Sequence, residues 1–212
     1  MSVNTSQIQA FVQAAAAAIE ANAEEVTALD QAIGDGDHVT NLQRGLSALA
    51  GLAPELGALD WSAAFQTMGM GVMSTVGGAS GSLYGMFFIA LAKSFKGKDM
   101  NLENMAEGFA AGVESMKQRG KSDVGEKTML DVLVPVAEAL KTAAAEGLPL
   151  AQVVETLNRV AEAGCESTRD MVPTKGRSSF LGERAKGYID AGARTSQLMI
   201  AAIGGVLAGQ GG

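Results

Sequence analysis

The stretch Asp60-Trp61-Ser62-Ala63-Ala64-Phe65-Gln66-Thr67-Met68-Gly69-Met70-Gly71-Val72-Met73-Ser74-Thr75-Val76-Gly77-Gly78 decides the fold class. Trp61, Phe65, Met68, Val72 and Val76 recur at spacings of three and four, the period of one helix face. Asp60 stands where a cap carboxylate accepts from first-turn N–H groups, and Gly77-Gly78 supplies a stop. A strand would alternate apolar and polar residues with period two, and this stretch does not. The spacing predicts a helix.

The same period continues outward in both directions. Upstream, Ile8, Phe11, Val12, Ala15 and Ile19 form a stripe behind a cap-like Asn4-Thr5-Ser6, and Leu42, Leu46 and Leu49 form another. Downstream come Leu83, Phe87, Ala90 and Leu91, then Met105, Phe109, Val113 and Met116 behind Asn101 as a cap. Val132, Leu133, Val136 and Leu140 follow, with Pro135 expected to kink the helix. Leu150, Val154, Leu157 and Ala161 precede a stop near Pro173, and Leu198, Ala202 and Val206 close the series. Eight helical stripes with short connections and no β-type run point to an all-α chain. We expect a single domain over residues 1–212, an antiparallel eight-helix barrel or bundle. The 27 Gly residues suit close helix approach, and the 11 Met residues read as gap-filling core.

Composition narrows the chemistry. A formal charge of -7 and 5% aromatics leave too little for phosphate neutralisation or base stacking, so no nucleic-acid partner is expected. One His and one Cys exclude an intrachain Cys/His zinc site and any disulfide framework. A metal would have to be held by oxygen, which favours Mg²⁺, Mn²⁺ or Ca²⁺. With no leader pattern and no apolar run long enough for a bilayer, the expectation is a cytoplasmic protein without membrane contact.

The unusual polar residues collect between stripes: Asp30 to Asn41, Gly77 to Ser82, Gly120 to Asp131, and Lys175 to Gly192. These breaks follow the first, third, fifth and seventh stripes. If neighbouring helices alternate in direction, that parity puts all four at one end of the bundle. The first break holds Asp30, Asp35 and Asp37 within eight residues, with glycines that let the backbone turn sharply. Three carboxylates suit a hard divalent ion, and the helix opening at Asp37 to Thr40 offers N–H groups to an anion. An Asx-type turn with an Asp cap is the plainer reading of Asp-Gly-Asp taken alone. An EF-hand fails, because Leu46 stands where the twelfth-position Glu is needed. His38, the lone imidazole, sits inside this loop as a phosphate or metal-group contact, or as a buried hydrogen-bonded His.

The second break admits close backbone approach to an anion, with Ser hydroxyls as added donors, or is simply a helix stop with a Ser cap. The fourth supplies Lys175, Arg177, Arg184 and Lys186, and Arg177 could bond a phosphate through two N–H groups. Standard nucleotide motifs are absent. Ser115 stands where a P-loop needs its first Gly, and Ser74 where a dinucleotide fingerprint needs its third. The four breaks together favour a phosphate and metal site.

Four ordered segments carry a family resemblance: Asp30-(x)4-Asp35-Gly36-Asp37-His38-(x)2-Asn41, Gly77-Gly78-Ala79-Ser80-Gly81, Gly125-Glu126-Lys127-Thr128-Met129, and Gly176-Arg177-Ser178-Ser179-Phe180-Leu181-Gly182-Glu183-Arg184. From about residue 7 to 205 the chain resembles the L subunits of bacterial phosphotransferase-dependent dihydroxyacetone kinases. The resemblance implies a helical barrel with ADP or ATP and two Mg²⁺ ions at one end. It implies Asp30, Asp35 and Asp37 as metal ligands. His38, Asn41, Ala79, Ser80, Gly120, Met129, Arg177 and Asp190 would surround the nucleotide, with Met129 near the adenine and Arg177 catalytic. It also implies a phospho-His phosphotransferase-system donor, a K subunit that holds dihydroxyacetone on its own His, and a homodimer. Alternatives are a subunit of a triose or tetrose kinase using exchangeable ATP, and a regulatory module without turnover. Val39, Ser82, Glu126 and Ala191 depart from the family pattern, the last beside Asp190.

Overall fold

The first ordered turn begins at Asn4, whose side chain accepts from Ser6 N at 3.1 Å while its own N–H donates to Gln7 Oε1 at 2.9 Å. This reciprocal pair is a capping box on a short 3₁₀ turn that leads into the first helix. The computed structural model describes residues 3–209 and runs α1 (Ile8–Ala21), α2 (Ala23–Ile33), α3 (His38–Leu56), α4 (Trp61–Thr75), α5 (Gly78–Ser94), α6 (Leu102–Gly120), α7 (Leu130–Ala145), α8 (Leu150–Ser167) and α9 (Ala191–Gly209). Among the described residues there is no strand. None of the helices is long and apolar enough to cross a membrane.

The expected caps form. Asp60 Oδ1 accepts from Ala63 N at 2.8 Å and starts α4, and Asn101 Oδ1 accepts from Asn104 N at 2.7 Å and starts α6. Pro135 lies inside α7, which continues through it. Having no N–H, Pro135 leaves the Asp131 carbonyl without its helical donor. Gly164 of α8 packs against that carbonyl: a Cβ at Gly164 would lie 2.4 Å from Asp131 O.

Each helix from α3 to α9 packs on the next in sequence, α9 returns to α1, and α1 packs on α3. The pairings close a ring. α2 also touches α3 and α9, so α1 and α2 together act as one kinked stave. The kink is at Asn22 (φ -115°, ψ 15°), across which Val26 N still donates to Asn22 O at 3.0 Å. The stripe reading ends this helix at Ile19 and leaves Val26, Leu29 and Ile33 uncounted, although they too recur at helical spacing.

The predicted faces are the buried ones. Ile8, Val12, Ala15 and Ile19 face inward from α1, and Phe65, Met68 and Val72 from α4. Phe65 packs on Phe95 with ring centroids 5.4 Å apart, an edge-tilted pair that joins α4 to the end of α5. Burying a side chain such as Phe95 is worth about 2–3 kcal/mol, so these contacts hold the staves and leave the loop ends free for polar chemistry.

Candidate functional site

All four polar breaks line one cavity of about 370 Å³ at one end of the ring. Asp30, Asp35, Asp37, His38, Asn41, Ala79, Ser80, Gly120, Met129, Arg177 and Asp190 all lie on its wall. The alternation of short-looped helices brings residues 160 positions apart to one mouth.

The carboxylates are placed by glycines. Asp30 lies in the last turn of α2, and Gly34 N donates back to Asp30 O. A Cβ at Gly34 would sit 2.2 Å from Asp30 Oδ1, so only glycine leaves that carboxylate its space. Gly36 then turns with φ 78°, a left-handed value that glycine takes freely. Asp30, Asp35 and Asp37 each offer an oxygen, all within 4.8 Å of one another. Three anions this close repel unless a cation lies between them. Arg177 Nε pairs with Asp35 Oδ2 and offsets part of that charge. The cap of α3 is Asp30, whose Oδ2 accepts from His38 N at 3.0 Å, and Asp37 makes no side-chain cap bond.

His38 Nε2 lies 2.9 Å from Thr195 Oγ1, and that hydroxyl donates to Gly192 O at 3.1 Å. Which of the two carries the shared proton follows the ring's tautomer, and with either one Thr195 fixes the Nε2 edge of the ring. Burial lowers the His38 pKa, against the opposing pull of Asp30 and Asp37. The ring is thus fastened to α9 on the cavity wall.

At the second break Gly77 precedes α5 without a side-chain cap. Gly78 has φ 70°, and a Cβ at Gly81 would lie 2.0 Å from Val76 O. Gly78, Ala79 and Ser80 bring the first-turn N–H groups to the cavity, the end of the helix that favours an anion. Ser82 is not one of the wall donors: its Oγ accepts from Arg119 Nε at 2.6 Å. Across the cavity Asp190 Oδ2 accepts from Ala193 N at 2.8 Å. Burial raises the Asp190 pKa to about 6 despite that bond and the nearby Lys127 ammonium.

Two wall or loop residues escape a reading of the sequence by type. Asp131, 2% exposed, accepts from Gly125 N through Oδ1 and from Thr128 N through Oδ2 at 2.8 Å, and so shapes the loop before α7. Lys127, 1% exposed, donates to the carbonyls of Thr168 and Tyr188, the latter at 2.6 Å. Burial pushes its pKa down, opposed by Asp190 and Asp170. A lysine inside a Gly-rich loop reads as solvated, and only the chain's return past residue 168 covers it.

The chain has relatives among known proteins. Residues 32–205 match the DAK2 domain. Over 201 residues, 94% of this chain and 96% of the relative, the sequence is 36% identical to the PEP-dependent dihydroxyacetone kinase, ADP-binding subunit DhaL, of Escherichia coli. Over 185 residues, 87% of this chain and 88% of the relative, it is 40% identical to the ADP-binding subunit DhaL of PEP-dependent dihydroxyacetone kinase 1 from Listeria innocua. The fold matches the crystal structure of the C. freundii dihydroxyacetone kinase with a TM-score of 0.74 at 24% identity. That match covers 97% of this chain and 35% of the longer one. A shared domain over residues 32–205 and two relatives aligned along nearly their whole length lead to one conclusion: the chain belongs to the DAK2 domain family.

Proposed function

We propose that this chain is a single nucleotide-binding domain, residues 1–212, that serves as the ADP-binding subunit of a dihydroxyacetone kinase. It takes a phosphoryl group from a phospho-His phosphotransferase-system protein and delivers it to dihydroxyacetone on a K subunit, with ADP/ATP and two Mg²⁺ ions as resident cofactors. The observation that carries this is the convergence of three carboxylates, a bare helix N-terminus and Arg177 on one cavity. Relatives named as ADP-binding subunits at 34–40% identity support it, as does the C. freundii enzyme solved with AMP-PNP and Mg²⁺.

The donor set fits a hard cation: anionic oxygens only, within 4.8 Å, with no lysine among them. Asp30, Asp35 and Asp37 would hold Mg²⁺, which when bound neutralises phosphate charge. The α5 N-terminus, through the N–H groups around Ala79 and Ser80, holds phosphate oxygens. Arg177 spreads positive charge over the moving phosphoryl group from its seat at Asp35. His38 presents Nδ1 while Thr195 fixes its ring, and Asn41, Gly120, Met129 and Asp190 complete the nucleotide wall. The unit acts as a homodimer, which sedimentation equilibrium tests.

Reconstitution decides the reading. Purified protein carried through gel filtration should retain ADP, and adding a K subunit with a phospho-His donor should yield triose phosphate. Nucleotide lost on the column, with turnover restored by free ATP, would favour an ATP-exchanging kinase instead. No product with either donor would favour a regulatory module. Asp35→Asn or Asp37→Asn should cut Mg²⁺-dependent transfer by about 10²-fold or more. Undiminished transfer would remove both residues from the metal site.

A further inference from the structure

After α8 the chain leaves the ring, carries Arg177 to Asp35, and returns at Asp190. The excursion has a narrow neck. Gly187 N donates to Arg169 O at 2.8 Å, Arg169 Nη1 donates to Gly187 O at 3.1 Å, and Asp190 N donates to Thr168 Oγ1 at 3.0 Å. Lys127 enters this neck from the loop before α7. Its Nζ donates to Thr168 O on the outgoing segment and to Tyr188 O on the returning one, with Arg169 O at 3.4 Å. Three carbonyls face the three N–H groups that only the ammonium form provides. Lys127 also has φ 59°, a left-handed backbone that a lysine keeps only where its surroundings impose it. Next to it, Glu126 accepts from Thr174 Oγ1 at 2.8 Å and holds the outgoing segment a second time.

We propose that Lys127 is a positioning residue: its buried ammonium locks the neck of the 168–190 excursion and thereby sets Arg177 against the aspartate cluster. The catalytic consequence rests on the phosphoryl-transfer reading; the lock itself rests on the hydrogen bonds alone. Lys127→Met keeps the length of the side chain and removes its donors. Trypsin should then cut at Lys175, Arg177, Arg184 or Lys186 about tenfold faster than in wild type, as the neck opens more often. Turnover should fall by about tenfold or more, because displacing a positioned group by an ångström is enough for that. In an Arg177→Ala background the same change should cost less than about twofold, since it acts through Arg177. Lys127→Arg should recover most of the turnover.

Wild-type cutting and turnover in Lys127→Met would overturn the proposal. So would an equal loss of turnover in both backgrounds, which marks a residue that only stabilises the fold. If Lys127→Met does not fold, Lys127→Gln leaves a shorter, uncharged donor in the neck, and unchanged tryptic cutting there overturns the lock. Wild-type protein without bound nucleotide or transfer would sink the functional reading instead, while tryptic cutting would still judge the lock.

Discussion

Asp190 serves two ends that pull against each other. Its carboxylate caps α9 through Ala193 N, yet the surrounding protein raises its pKa from 3.8 to about 6. A carboxyl raised in the folded state costs stability wherever it must ionise: nothing below its unfolded pKa, increasingly between pH 4 and 6, and fully above. The full shift would correspond to about 3 kcal/mol, and water entering the open cavity reduces that to about 1 kcal/mol. Asp190→Asn keeps the capping oxygen and removes the charge. In ligand-free protein it should therefore unfold at higher denaturant than wild type at pH 7, with the advantage vanishing by pH 4. Urea melts at both pH values check this, and a constant offset across the range would contradict it. The sequence shows Asp190 as a polar residue before an apolar stripe. Its strained ionisation comes first from burial, with Asp131 and Asp30 adding to it and Lys127 opposing it, surroundings that no local pattern records.

At the scale of the helix, α7 and α8 meet at a tight backbone contact. Pro135 frees the Asp131 carbonyl, and Gly164 is the residue that can press against it. Gly164→Ala would put Cβ 2.4 Å from that backbone oxygen and 3.1 Å from Val132 Cα, where no rotamer change gives relief. The helices must separate, at about 2 kcal/mol as for other overpacked cores. Because the Asp131 side chain shapes the Gly125–Thr128 loop, nucleotide retention should weaken along with the melting temperature. Loss of stability with unchanged retention would show that the joint and the loop are independent. The helices themselves are legible because Trp61, Phe65, Met68 and Val72 repeat at the helical period in a capped segment. α2 carries the same signal in Val26, Leu29 and Ile33, but no period shows that the kink at Asn22, which preserves the hydrogen bonding, makes it a separate helix. Short 3₁₀ turns over Arg177–Ala185, broken at Gly182, have no apolar period to read.

For the molecule as a whole, the site exists only when the ring is closed. Its wall runs from Asp30 to Gly192 and draws on the first and last staves, which meet where α9 returns to α1. Parity of the breaks made this convergence legible from sequence, since an even number of antiparallel staves returns every second junction to one end. A ligand at that mouth bridges segments that are far apart in the unfolded chain, so it binds the folded state alone. At a hundred times its Kd such a ligand adds about 2.7 kcal/mol. For a chain of this size that raises the melting temperature by roughly 5–10 °C. ADP with Mg²⁺ should produce this rise in wild-type protein, and chelation with EDTA should remove most of it, because the aspartate cluster repels phosphate unless a cation neutralises it. Asp35→Asn and Asp37→Asn should melt near the wild-type apo temperature and gain little from ADP and Mg²⁺ together. Arg177→Ala, by contrast, should keep most of the rise, since it loses a partner of the moving phosphoryl group and leaves the cation ligands in place. A thermal shift that survives EDTA undiminished would separate nucleotide binding from the carboxylates and reassign the cluster to holding the 30–41 turn.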